Sequence, residues 1–176
     1  PLLKSAQNLD SMLSREAAFL VNNMLLLAIA FVTLWGTVYP LLSRLINDEQ
    51  ITVARPFYDQ VNGPLMLGLV FLMGVGPLIP WRKAGVNSLR KSLMPPIIGG
   101  LLTVGILAAL GLHKDYALVG FGLSAFVTTG ILMEWYRGTR SRYRSSGENY
   151  VTAFVRLIMA NRPRYGGYIV HLAVVM

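Results

Sequence analysis

The sequence predicts an all-α protein: a polytopic transmembrane helical bundle with four full spans and the start of a fifth, in a single membrane domain over residues 1–176. Composition and charge placement predict this class. The 176 residues are 54% hydrophobic and only 14% charged, whereas soluble domains carry about 25% charged residues. The mean hydropathy is +0.52. The few charges are unevenly placed, so the apolar residues form long uninterrupted blocks.

Four uncharged runs are about as long as the helix of about 20 residues that crosses the hydrocarbon core of a bilayer. These runs cover residues 17–43, 60–81, 92–113 and 116–133. Their side chains are apolar all round, whereas the strands of a membrane barrel alternate apolar with polar residues. The predicted helical spans cover about residues 19–43, 61–81, 94–113 and 116–135.

Glycine and proline are frequent in the second and third of these spans. Small residues let membrane helices approach one another closely, whereas broken helices line the substrate sites of some transporters. Because the prolines lie mostly near the predicted ends of the spans, helix packing is the favoured interpretation.

The segment that follows the fourth span predicts two different structures. Residues 137–147 are rich in Arg, Ser and Gly, a composition typical of a flexible connector. Residues 149–161 predict an interfacial amphipathic helix, because apolar residues recur there at the i, i+3, i+4, i+7 spacing. The residues on this stripe are Val151, Phe154, Val155 and Ile158.

A fifth apolar segment begins at Tyr165 and reaches the last residue, Met176, after 12 residues. A helix that stopped inside the bilayer would leave its last carbonyl groups without partners. We therefore expect residues 165–176 to be the start of a longer span, and the sequence to be part of a larger protein. Residues 1–14 agree with this expectation, because they lack an initiator Met and the features of a signal peptide. An interfacial C-terminal helix is the alternative.

The basic residues predict the orientation of the spans, because Lys and Arg accumulate in cytoplasmic loops. The segments before the first span, between the second and third, and after the fourth carry 13 Lys and Arg residues, and the other two loops carry 3. The N-terminus and both basic loops are therefore predicted to be cytoplasmic. This topology explains the formal charge of +8 and makes the lipid bilayer, not nucleic acid, the expected partner.

The sequence contains no soluble-enzyme motif, so any chemistry is expected to come from a bound cofactor. The absence of Cys excludes disulfides and thiolate metal sites. Of the two histidines, His113 stands beside Lys114 and Asp115 in an outward turn and is predicted to be solvated.

The other histidine, His171, lies seven residues beyond Arg164, which places it roughly 10 Å into the bilayer. An ionisable side chain at that depth indicates function by default. A neutral imidazole is a common axial ligand of haem iron. A hydrogen bond to another helix is an equally weighted alternative.

Two further residues are candidates for the same site. Gly167 is one helical turn before His171, so a flat macrocycle could approach the helix there without meeting a side chain. Asn23, in the first span, is also seven residues from its cytoplasmic boundary. It could orient the imidazole or bind a cofactor substituent, although ordinary hydrogen bonding between helices is favoured for it.

Several stretches carry a resemblance to one family, and they are spread over nearly the whole chain. They are residues 13–27 (LSREAAFLVNNMLLL), 35–42 (WGTVYPLL), 51–64 (ITVARPFYDQVNGP), 74–82 (GVGPLIPWR) and 161–175 (NRPRYGGYIVHLAVV). In this order they resemble the CcmF family, the haem lyase of system I cytochrome c maturation. The sequence departs from the family pattern at Ala54, Arg55 and Ala173, and it lacks the family's tryptophan-rich segment.

The resemblance implies a central to C-terminal part of a larger protein in a bacterial-type inner membrane. Family members bind haem b through two transmembrane histidines, and one of these falls on His171. They take haem from a periplasmic haem chaperone and attach it to apocytochrome c, together with other maturation subunits. The resemblance also implies that the remaining half of the lyase supplies the other histidines, so this part alone should not be active. A membrane transporter, or a structural subunit without haem, is the competing interpretation.

Overall fold

The computed structural model describes residues 15–48, 51–79 and 86–176, and this part of the chain is helical with no strand. Four of its helices are long and apolar enough to cross a membrane, which confirms the predicted class. The helices are α1 (Arg15–Asn47), α2 (Arg55–Val75), α3 (Val86–Ala109), α4 (Asp115–Ser146), α5 (Tyr150–Ala160) and α6 (Arg162–Val175), with a short 3-10 turn at Gly76–Leu78.

The helices extend beyond the uncharged runs, because charged flanking residues continue the helical backbone. As a result, Pro64, Pro95 and Pro96 lie inside α2 and α3 and not at their ends. The second span was predicted to end at residue 81, which lies outside the described residues. The single-domain prediction stays a prediction, since contacts divide the chain into two units.

The prediction of a flexible connector over residues 137–147 is wrong, because α4 continues without a break to Ser146. The helix ends at Gly147, whose φ of 65° is left-handed and whose N–H donates to the carbonyl of Tyr143. This is a common helix-terminating arrangement. Composition alone does not predict that α4 extends beyond residue 137, because packing stabilises part of this extension. Thr139, for example, is only 4% exposed.

The first unit consists of α1 and most of α2, which pack against each other in antiparallel directions. The Nδ2 of Asn62 donates a hydrogen bond to the Oγ1 of Thr33 over 3.3 Å. Near the end of α1, the ring of Tyr58 lies directly over Gly36, where a side chain would collide with it. Most other side chains of α1 are apolar and exposed, as expected for a helix that faces lipid.

The second unit is built on the antiparallel pair α3 and α4, which meet along small residues. Gly100 lies so close to α4 that an added Cβ would be 2.8 Å from the carbonyl oxygen of Gly122. At Gly99, an added Cβ would be 2.5 Å from the hydroxyl oxygen of Thr129. Phe126 and Val127 are buried beside this seam. These contacts support helix packing as the role of the glycines.

The cytoplasmic half of α4, as predicted from the basic residues, carries α5 and α6. Gly138 is the point of contact, because an added Cβ would lie 2.8 Å from Leu157 of α5 and 3.0 Å from the Tyr165 hydroxyl of α6. The packed side of α5 also includes the fully buried Ala153. Val151, on the predicted apolar stripe, is 70% exposed. Val151 is therefore available to lipid, and the interfacial location of α5 stays a prediction.

Candidate functional site

The candidate site is on α6, which begins with a defined N-terminal cap. The Oδ1 of Asn161 accepts a hydrogen bond from the backbone N–H of Arg164 over 3.4 Å, and Pro163 occupies the first turn, where its missing N–H is not needed. Tyr165 and Tyr168 are buried on the side of α6 that packs in the second unit. This packing fixes the rotation of the helix and places His171 at the edge of the packed side.

The imidazole of His171 is half-buried, and its Nδ1 is fully buried without a hydrogen-bond partner in the described part of the chain. A buried polar atom without a partner is costly, by about 1–3 kcal/mol. The described residues also contain no group of three or more potential metal ligands. His171 therefore belongs to no such group in the described part of the chain, and no hydrogen bond there accounts for its buried Nδ1.

The surface of α6 is open at Gly167, one turn before His171. A Cβ added at Gly166 or Gly167 would meet nothing within 4 Å, and both residues have ordinary helical backbone angles. A glycine inside a helix is less favourable than alanine by about 1 kcal/mol. Neither packing nor backbone geometry in the described structure requires these glycines. They fit the predicted close approach of a flat group beside His171.

The start of α6 is fastened to α4 by an ion pair that the sequence analysis missed. The Nη2 of Arg164 lies 2.5 Å from the Oε2 of Glu134, and its Nε donates to the Tyr168 hydroxyl over 3.0 Å. Glu134 also forms an ion pair with Arg137, three positions further along α4, at 3.9 Å. Glu134 and Arg164 are 30 positions apart, so no local spacing could have indicated their contact.

The guanidinium of Arg164 stays protonated, and therefore positively charged. Partial burial disfavours the charged guanidinium, but the hydrogen bond with Tyr168 and the proximity of Glu134 outweigh that effect, so the pKa of Arg164 is raised above its usual value. Arg164 therefore stays charged and able to pair with Glu134 at any physiological pH.

We expect Glu134→Gln to weaken the attachment of α6 to α4, because it removes the carboxylate that faces both Arg164 and Arg137. Since Arg164 is partly exposed, the loss should be about 1 kcal/mol. Thermal unfolding of the intact protein in lipid nanodiscs measures it as a lower Tm. Arg137→Gln is the matched control, because it leaves the pair with Arg164 in place. An equal fall in Tm for both variants would contradict the assignment.

The other predicted residues are in different parts of the chain. His113 is exposed between α3 and α4, as predicted for a solvated histidine. Asn23 is exposed on α1 in the first unit, whereas His171 belongs to the second. The role predicted for Asn23 beside the imidazole stays a prediction.

The four spanning helices and the shorter helices that follow them define a multi-pass α-helical membrane protein. The chain is 36% identical, over 141 residues and 77% of its length, to the cytochrome c-type biogenesis protein ccl1 of Rhodobacter capsulatus. It is 29% identical to the cytochrome c-type biogenesis protein CcmF of Haemophilus influenzae over 168 residues, or 93% of this chain, and 29% identical to CcmF of Escherichia coli over 140 residues, or 76%.

These similarities place the chain in the CcmF family of cytochrome c-type biogenesis proteins. The aligned part is 21% of the Rhodobacter protein, 24% of the Haemophilus protein and 22% of the Escherichia protein, so the chain spans less than a quarter of the length of these relatives. No protein-family model and no solved structure matches the chain.

Proposed function

We propose that this chain is part of a membrane haem lyase in cytochrome c maturation, which handles haem and its covalent attachment to apocytochrome c. Its relatives are named as cytochrome c-type biogenesis proteins, which supports a role in that process. The observation that carries the haem assignment is His171, a half-buried imidazole whose buried Nδ1 has no partner among the described residues.

In this proposal, His171 is one axial ligand of a haem b. The His171 imidazole would supply the lone pair to the iron, and Gly166 and Gly167 would leave open helix surface for the group. A bound haem b supplies one-electron chemistry at this site. The residues of the chain hold the imidazole in place: Tyr168 packs one turn before it, and Arg164 fastens the helix to Glu134.

The remaining parts of the site come from elsewhere in the protein. A second axial ligand is expected from the part of the relatives' length that this chain does not cover. With the N-terminus of the chain in the cytoplasm and the protein in a bacterial-type inner membrane, the connections from α1 to α2 and from α3 to α4 face the periplasm. There the proposal places the haem chaperone and apocytochrome c, with other maturation subunits alongside.

The transporter interpretation loses its main support, because glycines that could have marked a broken helix are used in packing. Gly100 contacts α4, and the helix α3 runs without a break through Pro95 and Pro96. A structural subunit without haem would leave the isolated imidazole of His171 and the bare helix surface at Gly167 without a role.

Gene deletion and complementation test the proposed process. Cells that lack the intact protein should contain no covalently bound haem c, measured as haem-dependent peroxidase staining of membrane and periplasmic proteins after denaturing electrophoresis. The wild-type gene should restore the stain fully. Normal staining in the deletion strain would refute the proposed role, whereas immunoblotting for apocytochrome c controls for its synthesis.

A further inference from the structure

The ion pair of Arg164 with Glu134 involves the same face of α6 that carries His171. Arg164, Tyr168 and His171 follow one another at intervals of four and three residues, and residues at this spacing share one face of a helix. His171 therefore lies two turns after Arg164, or about 10 Å along the helix axis. The fold thus holds a paired positive and negative charge near the proposed haem ligand.

Tyr168 lies between the charged pair and the imidazole on this face. Its hydroxyl accepts a hydrogen bond from the Nε of Arg164 over 3.0 Å, and the residue is only 4% exposed. The buried ring keeps water away from the helix face between Arg164 and His171. An electrostatic interaction along this face is therefore screened less than one that crosses solvent.

Glu134 is the more enclosed member of the pair, with a side chain 18% exposed against 43% for Arg164. It also pairs with Arg137 at 3.9 Å. One carboxylate thus faces two guanidinium groups, and these three residues together carry one net positive charge. Replacing Arg164 or Glu134 with glutamine changes that charge by one unit, in opposite directions.

The oxidised and reduced forms of haem iron also differ by one unit of charge. A nearby cation disfavours the more positive, oxidised form, and a nearby carboxylate favours it. Charge close to a cofactor is one of the means by which a protein adjusts the cofactor's electronic properties. The charges of Arg164 and Glu134 therefore act on the balance between the two forms of a haem bound at His171.

We propose that Arg164 and Glu134 set the reduction potential of the haem that His171 binds. Arg164 raises this potential, and Glu134 lowers it. The inference rests on the proposed function, because it requires a haem at His171. It gives the two residues a role beyond the attachment of α6 to α4, since they determine how readily the haem accepts an electron.

A redox titration of the intact protein in nanodiscs, followed by the absorbance of its b-type haem, tests the proposal. At the wild-type midpoint potential, Arg164→Gln should lower the ratio of reduced to oxidised haem by about threefold, and Glu134→Gln should raise it by about threefold. The double variant, Arg164→Gln with Glu134→Gln, removes both charges and should return the ratio close to the wild-type value. A weaker attachment of α6, which all three variants share, does not produce shifts of opposite sign that cancel.

Glu148→Gln is the matched control for the carboxylate. Glu148 is also 18% exposed and also pairs with two arginines, but it lies beyond the end of α4, 14 positions after Glu134. This variant should leave the ratio unchanged. Arg164→Lys should also stay close to wild type, because it keeps the positive charge.

The outcomes separate this inference from the proposed function. If Arg164→Gln and Glu134→Gln shift the ratio in the same direction, or leave it unchanged, the inference is wrong and haem binding at His171 still stands. A shift of the same size in Glu148→Gln would also overturn the inference. Absence of a b-type haem from the wild-type protein would refute the proposed function itself, and this inference with it.

Discussion

Replacing His171 with alanine is expected to abolish the b-type haem signal of the intact protein. The reason is chemical: the proposed ligand is the imidazole lone pair, and the described residues contain no group of three or more potential metal ligands that could replace it. The reduced-minus-oxidised absorption spectrum of the purified membrane protein measures the change. Covalent haem attachment in cells should fall with it, because the proposed lyase needs its membrane haem.

His113→Ala is the matched control for this variant, because it removes the chain's other histidine from an exposed turn. It should leave the spectrum unchanged. The membrane abundance of both variants, measured by immunoblotting, separates loss of haem from loss of protein. If the haem signal persists in a stably inserted His171→Ala protein, His171 is not a haem ligand. Its role would then be in packing, and the structural-subunit interpretation would be favoured.

The position of this histidine along α6 could be inferred from the sequence by counting residues, whereas its predicted depth in the bilayer stays a prediction. The four spans could also be inferred, because they follow from uninterrupted apolar runs longer than a bilayer requires. Where a structural feature depends on the residues of a single helix, the local sequence pattern is sufficient to predict it. The pair of Glu134 with Arg137, at i and i+3, belongs to the same category.

Features that depend on two helices could not be inferred in this way. The attachment of Arg164 to Glu134 joins α6 to α4 across 30 positions. The side of α5 that packs includes Ala153 and Leu157, which lie off the apolar stripe, as well as Phe154 from the stripe, because α4 offers the small Gly138 there. The extension of α4 beyond residue 137 has the same origin, since a polar composition does not reveal that Thr139 is buried.

The glycine seam between α3 and α4 should be the most sensitive packing feature of the second unit. Gly100→Val is expected to destabilise it by about 3 kcal/mol, at the upper end of the usual cost of overpacking. The added Cβ would be 2.8 Å from the backbone oxygen of Gly122, and backbone cannot move aside as a flexible side chain can. Because apolar burial does little to join helices inside lipid, close packing is a principal source of their association.

Gly105→Val is the matched control for this change, because it makes the same substitution on the same helix where an added Cβ meets nothing within 4 Å. The two variants alter the helix propensity of α3 equally, so the difference between them isolates the contact with Gly122. Thermal unfolding of the intact protein in nanodiscs should show a large fall in Tm for Gly100→Val and little change for Gly105→Val. Equal falls in Tm would mean that contacts elsewhere hold α3 and α4 together. The small residues of the seam would then not determine how these two helices pack.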